Sequence, residues 1–228
     1  MDRQRNTGIS GIKPGQEGKI NFTLNLSSFK DSNLGQNLSL SSYAQYSVGG
    51  VKIKKDENKS NIINSQINSD LDLIEKILYF NSDNITVGSG PLPPKVGEKT
   101  GLHVYWNIKN NLHELSDTKV IFDLPAYVSW DAKNTVSIGK IYFDSASHKV
   151  IWEIGNLPVS VYQATADFGL SLTPTEEQRD KILVISKGST VSATDMETKS
   201  LITKKIGVKT TKLEDDSMIG LNHSGLVE

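Results

Sequence analysis

The stretch that most constrains this chain is residues 90–108, GPLPPKVGEKT followed by GLHVYWNI. Its first half holds Pro91, Pro93 and Pro94, each with a fixed φ and no backbone donor, so neither a helix nor a central strand can form there. Its second half alternates. Leu102, Val104, Trp106 and Ile108 point one way, and His103, Tyr105 and Asn107 the other. That is the two-residue period of a half-buried strand. A stiff loop therefore feeds a long core strand of a β domain.

The same period recurs along the chain. Ile20, Phe22, Leu24 and Leu26 alternate with polar partners. A less regular strand covers residues 38–48 and is broken by Gly49-Gly50, and residues 54–61 read as a charged hairpin tip. Residues 71–80, LDLIEKILYF, carry apolar positions that also suit a helix, but shortness and flanking Asn-rich turns favour a strand. Further sets are Val120, Phe122 and Leu124; Val128 and Trp130; residues 136–143; Val150, Trp152 and Ile154; and Phe168, Leu170 and Leu172. A turn is expected at 144–147 and a short helix at 175–181, with last strands at 182–185, 191–193 and 201–208. Turn signals fall every 8–12 residues or so, the spacing of a sandwich or barrel, and strict alternation argues for antiparallel pairing with one wet face.

Composition narrows the function classes. Lys and Arg total 25 against 26 Asp and Glu, so there is no electrostatic case for nucleic acid or an anionic membrane. No cysteine is present, which removes disulfides, thiol nucleophiles and thiolate metal sites. No apolar run approaches the ~20 residues that span a bilayer, so this segment has no direct membrane contact of that kind. Residues 214–228 hold four acidic residues and no Lys or Arg, which predicts a disordered acidic tail.

The chain is also similar to itself. Residues 11–26, GIKPGQEGKINFTLNL, match residues 155–172, GNLPVSVYQATADFGLSL, in a Gly, an aliphatic residue, a proline and then a strand centred on Phe22 or Phe168. NLSLSSYAQYSVGG sits where ILVISKGSTVSATD sits, and KSNIINSQINSDLD where KSLITKKIGVKTTK sits. An offset of about 145 residues means tandem domains, not a solenoid. The expected organisation is a truncated first copy at 1–70 whose front strands lie upstream, a complete domain at 71–213, and the tail at 214–228. The junction then falls at 68–71, too short to be flexible.

With these motifs assembled, the chain resembles the "conserved repeat" β domains of large bacterial cell-surface proteins. More narrowly, it resembles the C-terminal part of single-anchor surface proteins of candidate-phyla and other small-genome bacteria. The motifs are GPLPPKVGEKT leading into HVYWNIKN, then DLPAYVSW, VIWEIGNL and FGLSLTP. The resemblance implies an all-β fold, an immunoglobulin-like antiparallel β-sandwich in a tandem array. It also implies an upstream transmembrane anchor, an extracellular position, and a structural or adhesive role without enzymatic activity or cofactor. A neighbouring cell, a glycan or a protein would be the surface partner. The alternatives are a glycan- or protein-binding module, or an accessory sandwich of a secreted hydrolase.

Individual residues add little chemistry. His103, His113, His148 and His223 are scattered without metal-ligand spacing. No nucleophile elbow, P-loop or dinucleotide fingerprint occurs. Glu214, Asp215 and Asp216, with Asp195 and Glu197 nearby, are the one acidic set that could hold Ca²⁺. Trp106, Trp130 and Trp152 fall on inward positions and read as core. Tyr105, Tyr127, Tyr142 and Tyr162 are the candidates for ligand contact, as a stacking platform for sugars. An intramolecular Lys–Asn isopeptide bond would need a buried lysine, for which Lys119 and Lys205 are the candidates.

Overall fold

The structure is a computed structural model, and it describes residues 13, 15–19, 39–45, 59–161, 163–219 and 223–228. In chain order the strands are β1 (Ser39–Ser42), β2 (Ile63–Gln66), β3 (Asp72–Leu78), β4 (Thr100–Lys109), β5 (Leu115–Asp123), β6 (Val128–Val136) and β7 (Lys140–Asp144). They continue with β8 (Lys149–Leu157), β9 (Gln163–Leu172), β10 (Val184–Ser186), β11 (Thr190–Asp195), β12 (Leu201–Lys205) and β13 (Lys209–Thr210). The fold is all-β, an immunoglobulin-like antiparallel sandwich. One sheet has the order β3-β4-β9-β6 and the other β12-β11-β5-β8-β7. The chain crosses repeatedly between sheets, so each sheet is built from strands distant in sequence.

Strand β4 is the axis of the first sheet. It pairs with β3 from Asp72↔Lys109 to Leu78↔His103, and with β9 from Thr100↔Leu172 to Lys109↔Gln163. Its inward row is the one its alternation predicts: Leu102, Val104, Trp106 and Ile108 are all buried. From the facing sheet come Val120 and Phe122 of β5, Val150 and Trp152 of β8, and Val191 of β11. The two indoles stack with centroids 6.2 Å apart and planes 10° apart. Phe168 meets the Trp106 ring edge-on at 4.7 Å. Such offset and edge-to-face pairs suit the ring quadrupoles and add to their buried area. Trp130 is only half-buried, because edge strand β6 carries it against Phe168 at the rim of this cluster.

Strand β3 explains why residues 71–80 imitate a helix. The inward row is Leu71, Leu73, Glu75 and Ile77, so a carboxylate occupies a core position while Ile74 faces out. One polar residue on the buried row and one apolar residue on the exposed row erase the two-residue period. The short helix expected at 175–181 shrinks to a 3₁₀ turn at Glu176–Gln178. Pro174 precedes it, and Arg179, whose ψ of 143° leaves helical geometry, ends it. The turn at 144–147 forms as expected, with Asp144 Oδ1 accepting from the Ala146 N–H at 3.1 Å and its Oδ2 from the Ser147 hydroxyl at 2.5 Å.

The hairpin of β1 and β2 runs from Ser39↔Gln66 to Ser42↔Ile63, with a further bridge at Gln45↔Lys59. Its residues are almost all exposed. In the internal match β1 corresponds to β10 and β2 to β12, yet β10 pairs with β13 and β12 with β11. In the complete sandwich β11 rests on β5, which organises that edge. Among the described residues β1 and β2 pair with each other alone. The strand centred on Phe22 lies outside the described residues.

The acidic tail is corrected by the structure. Where it is described, it packs on the sandwich, and Val227 is fully buried in the core cluster. Asp216 is buried and its Oδ2 accepts from the Tyr79 and Phe80 N–H groups at 2.8 and 2.7 Å. Asp215 pairs with Lys209 at 2.7 Å. Composition suggested disorder because it does not register where the carboxylates go. Here they meet backbone donors at the end of β3 that have no strand partner, which satisfies both sides. Replacing Asp216 with alanine is expected to cost about 1–3 kcal/mol, because the Tyr79, Phe80, Met218 and Ile219 amides all lose their acceptor. Faster hydrogen exchange at Tyr79 and Phe80, with slow exchange kept in β4, is the matching measurement.

Candidate functional site: a clamp on residues 68–70

The connection between the β1–β2 hairpin and β3 is held by buried polar groups. Ser69 is 5% exposed, His113 4% and Asp195 0%. Asp195 ends β11, on the inward row after Val191 and Ala193, so alternation delivers its carboxylate to the interior. There it accepts from the Ser69 N–H at 2.7 Å, from His113 Nδ1 at 2.9 Å, and from the Glu197 and Thr198 N–H groups at 2.9 and 3.0 Å. The Ser69 hydroxyl accepts from the His113 N–H at 3.1 Å and donates toward Asn110 Oδ1 at 2.7 Å and the Asn111 carbonyl. On either side, Thr198 Oγ1 donates to Asn68 Oδ1 at 2.7 Å, and Lys204 reaches Asp70 at 3.2 Å.

Burial alone would raise the Asp195 pKa. The Ser69 and Thr198 amides, the His113 ring and the Glu197 amide outweigh it, and the carboxyl is held below the ordinary aspartate value. A serine, a histidine and an aspartate together suggest a catalytic triad, but the geometry is different. The Ser69 hydroxyl engages the main chain of His113 and Asn111, while the imidazole Nδ1 engages Asp195. Nucleophilic catalysis needs base and hydroxyl in contact beside a substrate. This arrangement fixes a connection.

A second buried carboxylate lies inside the sandwich. Glu75 accepts from Trp106 Nε1 at 2.9 Å, from the Ser186 hydroxyl at 3.1 Å and from the Ser189 hydroxyl. Desolvation raises its pKa against these hydrogen bonds and the field of Lys209. It ties β3 to the turn between β10 and β11, where Gly188 (φ 90°) has no room for a Cβ beside the Ile206 carbonyl.

The residues expected to contact ligand are not brought together. Tyr105 lies on the outer face of the first sheet, half-buried beside the His103–Asp167 pair of 2.7 Å. Tyr142 projects from the outer face of the other sheet, opposite Ile151. Tyr127 is half-buried and its hydroxyl donates to the Val184 carbonyl at 2.8 Å. Tyr162 lies outside the described residues. Rings on opposite faces cannot form one stacking platform. Nor does His103 stand free in solvent, since Asp167 holds its Nε2.

The calcium set is likewise divided. Asp195 bonds Ser69 before the start of β3, and Asp216 bonds Tyr79 after its end, a separation of roughly 30 Å along extended chain. No metal-binding group of three or more His, Asp or Glu forms among the described residues. Lys119 and Lys205 are both exposed, so neither suits a buried isopeptide bond. Among the described residues no helix is long and apolar enough to cross a membrane.

Ser69, His113 and Asp195 escaped the sequence reading because they lie far apart in the chain. The available signal was positional: Glu75 and Asp195 each sit where the alternation of their own strand demands an apolar residue.

No protein-family model matches the chain, and no curated protein matches it. Among solved structures, a variant of BcpA, the major pilin subunit of Bacillus cereus, aligns at a TM-score of 0.40 and 11% identity over 75% of this chain and 47% of that one. The major pilin SpaD of Corynebacterium diphtheriae aligns at a TM-score of 0.38 and 8% identity over 64% and 36%. The C-terminal domain of the Streptococcus pyogenes antigen I/II-family protein AspA aligns at a TM-score of 0.35 and 9% identity over 67% and 49%. The chain thus spans less than half the length of each of these structures.

Proposed function

We propose that this chain is a structural segment of a bacterial cell-surface stalk. The sandwich holds what is attached to it at a set distance and angle. Residues 1–70 belong to a preceding repeat whose front strands lie upstream, and an upstream transmembrane helix anchors the whole outside the cell. A neighbouring cell, a glycan or a protein is the surface partner of the assembled stalk.

The observation that carries this reading is the clamp on residues 68–70. A flexible tether would leave its polar groups to water. Here three consecutive residues are each bonded to the turn between β11 and β12 or to the strands beside it. Buried hydrogen bonds restrict the directions the chain can take on leaving the domain, as a load-transmitting joint requires. The division of Tyr105 and Tyr142 between opposite faces weighs against a sugar platform as the main role.

Stiffness at the joint is measurable by spin-label distances. The chain has no cysteine, so labels at Ile63→Cys and Lys119→Cys report on the hairpin and the sandwich alone. A single narrow distance distribution is expected, broadening when Asp195→Asn is added. A broad distribution in the labelled parent would overturn the stiff-joint reading.

A further inference from the structure

Residues 226–228 sit in the fold as a short extended segment inserted between two flanks. Both main-chain groups of Val227 bond to one flank: its N–H donates to the Lys181 carbonyl at 3.1 Å, and its carbonyl accepts from the Asp180 N–H at 2.9 Å. Both main-chain groups of Glu228 bond to the other: its N–H donates to the Pro94 carbonyl at 2.9 Å, and its oxygen accepts from the Val96 N–H at 2.8 Å. Alternation of partners from one residue to the next is how a strand lies between two neighbours. Leu226 forms a further bridge with Ile182.

The slot is also selective along its length. Val227 is fully buried in the core cluster. Gly225 has φ 73°, and a Cβ there would lie 2.7 Å from the Lys212 nitrogen, while its carbonyl accepts from the Thr211 hydroxyl at 2.5 Å. Lys95 faces the Glu228 carboxylate at 3.8 Å. Backbone pairing on two flanks, one buried side chain, one obligatory glycine and one charge match together define recognition of an extended peptide of the form Gly-x-Val-Glu.

Of the described residues in this segment only Gly225 and Val227 are buried. Lifting it therefore exposes little apolar surface compared with opening the sandwich, so it belongs to the low-stability end of the molecule. Once lifted, it leaves the amides of Val96 and Asp180 and the carbonyls of Pro94 and Lys181 unpaired around a cavity the size of the Val227 side chain. An unpaired edge of this kind takes another extended segment.

We propose that the cleft between residues 94–96 and 180–182 is a peptide-binding slot, and that its partner in trans is the same segment, 223–228, of a second copy of this chain. Every contact made within one chain is available between two, so segment exchange links copies without any new surface.

The test uses full chains. Lys95 and Glu228 are adjacent across the slot, both are about half-exposed, and no native thiol competes. Lys95→Cys and Glu228→Cys are prepared on separate chains, mixed and oxidised. A disulfide-linked heterodimer is expected, reduced about ten-fold or more when the Glu228→Cys chain also carries Gly225→Ala, because a non-glycine residue is disfavoured in the left-handed region. The double variant on one chain should form the internal disulfide, which establishes that the geometry permits the bond. Failure of the separate chains to cross-link, or a heterodimer yield unaffected by Gly225→Ala, overturns exchange. Failure of the double variant overturns the slot itself.

Discussion

Trp106→Ala is expected to lower the unfolding free energy by about 5 kcal/mol, a large part of what a domain of this size possesses. Two losses combine. Removing a fully buried indole leaves a cavity against Trp152, Phe122 and Phe168, whose centroids lie 6.2, 6.2 and 4.7 Å away. Truncations of this kind cost roughly 3–5 kcal/mol. The indole N–H is also a donor to Glu75, at 2.9 Å. Without it a buried carboxylate keeps only hydroxyl partners, at a further cost of about 1–3 kcal/mol. Trp130→Ala is the internal comparison, since Trp130 is half-buried on an edge strand and bonds no carboxylate. Urea unfolding followed by far-ultraviolet circular dichroism should place the Trp106 variant well below the Trp130 variant. Equal losses would show that Trp106 is not the centre of the core.

Asp195→Ala is expected to cost roughly 3 kcal/mol or more at neutral pH, because it removes the acceptor of the His113 ring and of three amides at a buried carboxylate. Acid adds a second signature. The folded state holds the Asp195 pKa below its unfolded value of 3.8. Its contribution to stability is therefore complete above the unfolded value and is lost as pH falls through the lower folded one. Parent and Asp195→Asn should differ most above pH 3.8 and converge below it. Unfolding free energies across that range give the comparison. A gap that stays constant with pH would mean that the charge on Asp195 contributes nothing.

The fold was legible where side chains announce their own environment. Leu102, Val104, Trp106 and Ile108 needed no partner to declare one face of β4, and the breaks at Pro125 and Pro174 marked where strands stop. The clamp on residues 68–70 was not legible. It rests on Asn68, Ser69, Asn110, His113 and Asp195, residues up to 127 positions apart in the chain (195 less 68), and nothing local in the sequence marks them as neighbours. The acidic tail failed for the opposite reason. Its local composition was clear, but the β3 amides that receive Asp216 are a property of the assembled sheet. The separation of Tyr105 from Tyr142 was not legible either: alternation assigns a face within one strand, and the two sheets turn their outer faces away from each other.

Strand β4 separates the clamp from the inserted segment. Asn110 and His113, beyond one end, hold Ser69, while Pro94 and Val96, ahead of the other, hold Glu228. Tension applied through Ser69 and leaving through residues 223–228 would therefore run along β3 and β4, parallel to the strands. Hydrogen bonds loaded in that direction must slide together, whereas bonds pulled apart from one end open one by one. The seven residue pairs joining β3 to β4 would resist as a set, which makes the sandwich harder to tear along its length than to peel at its edges.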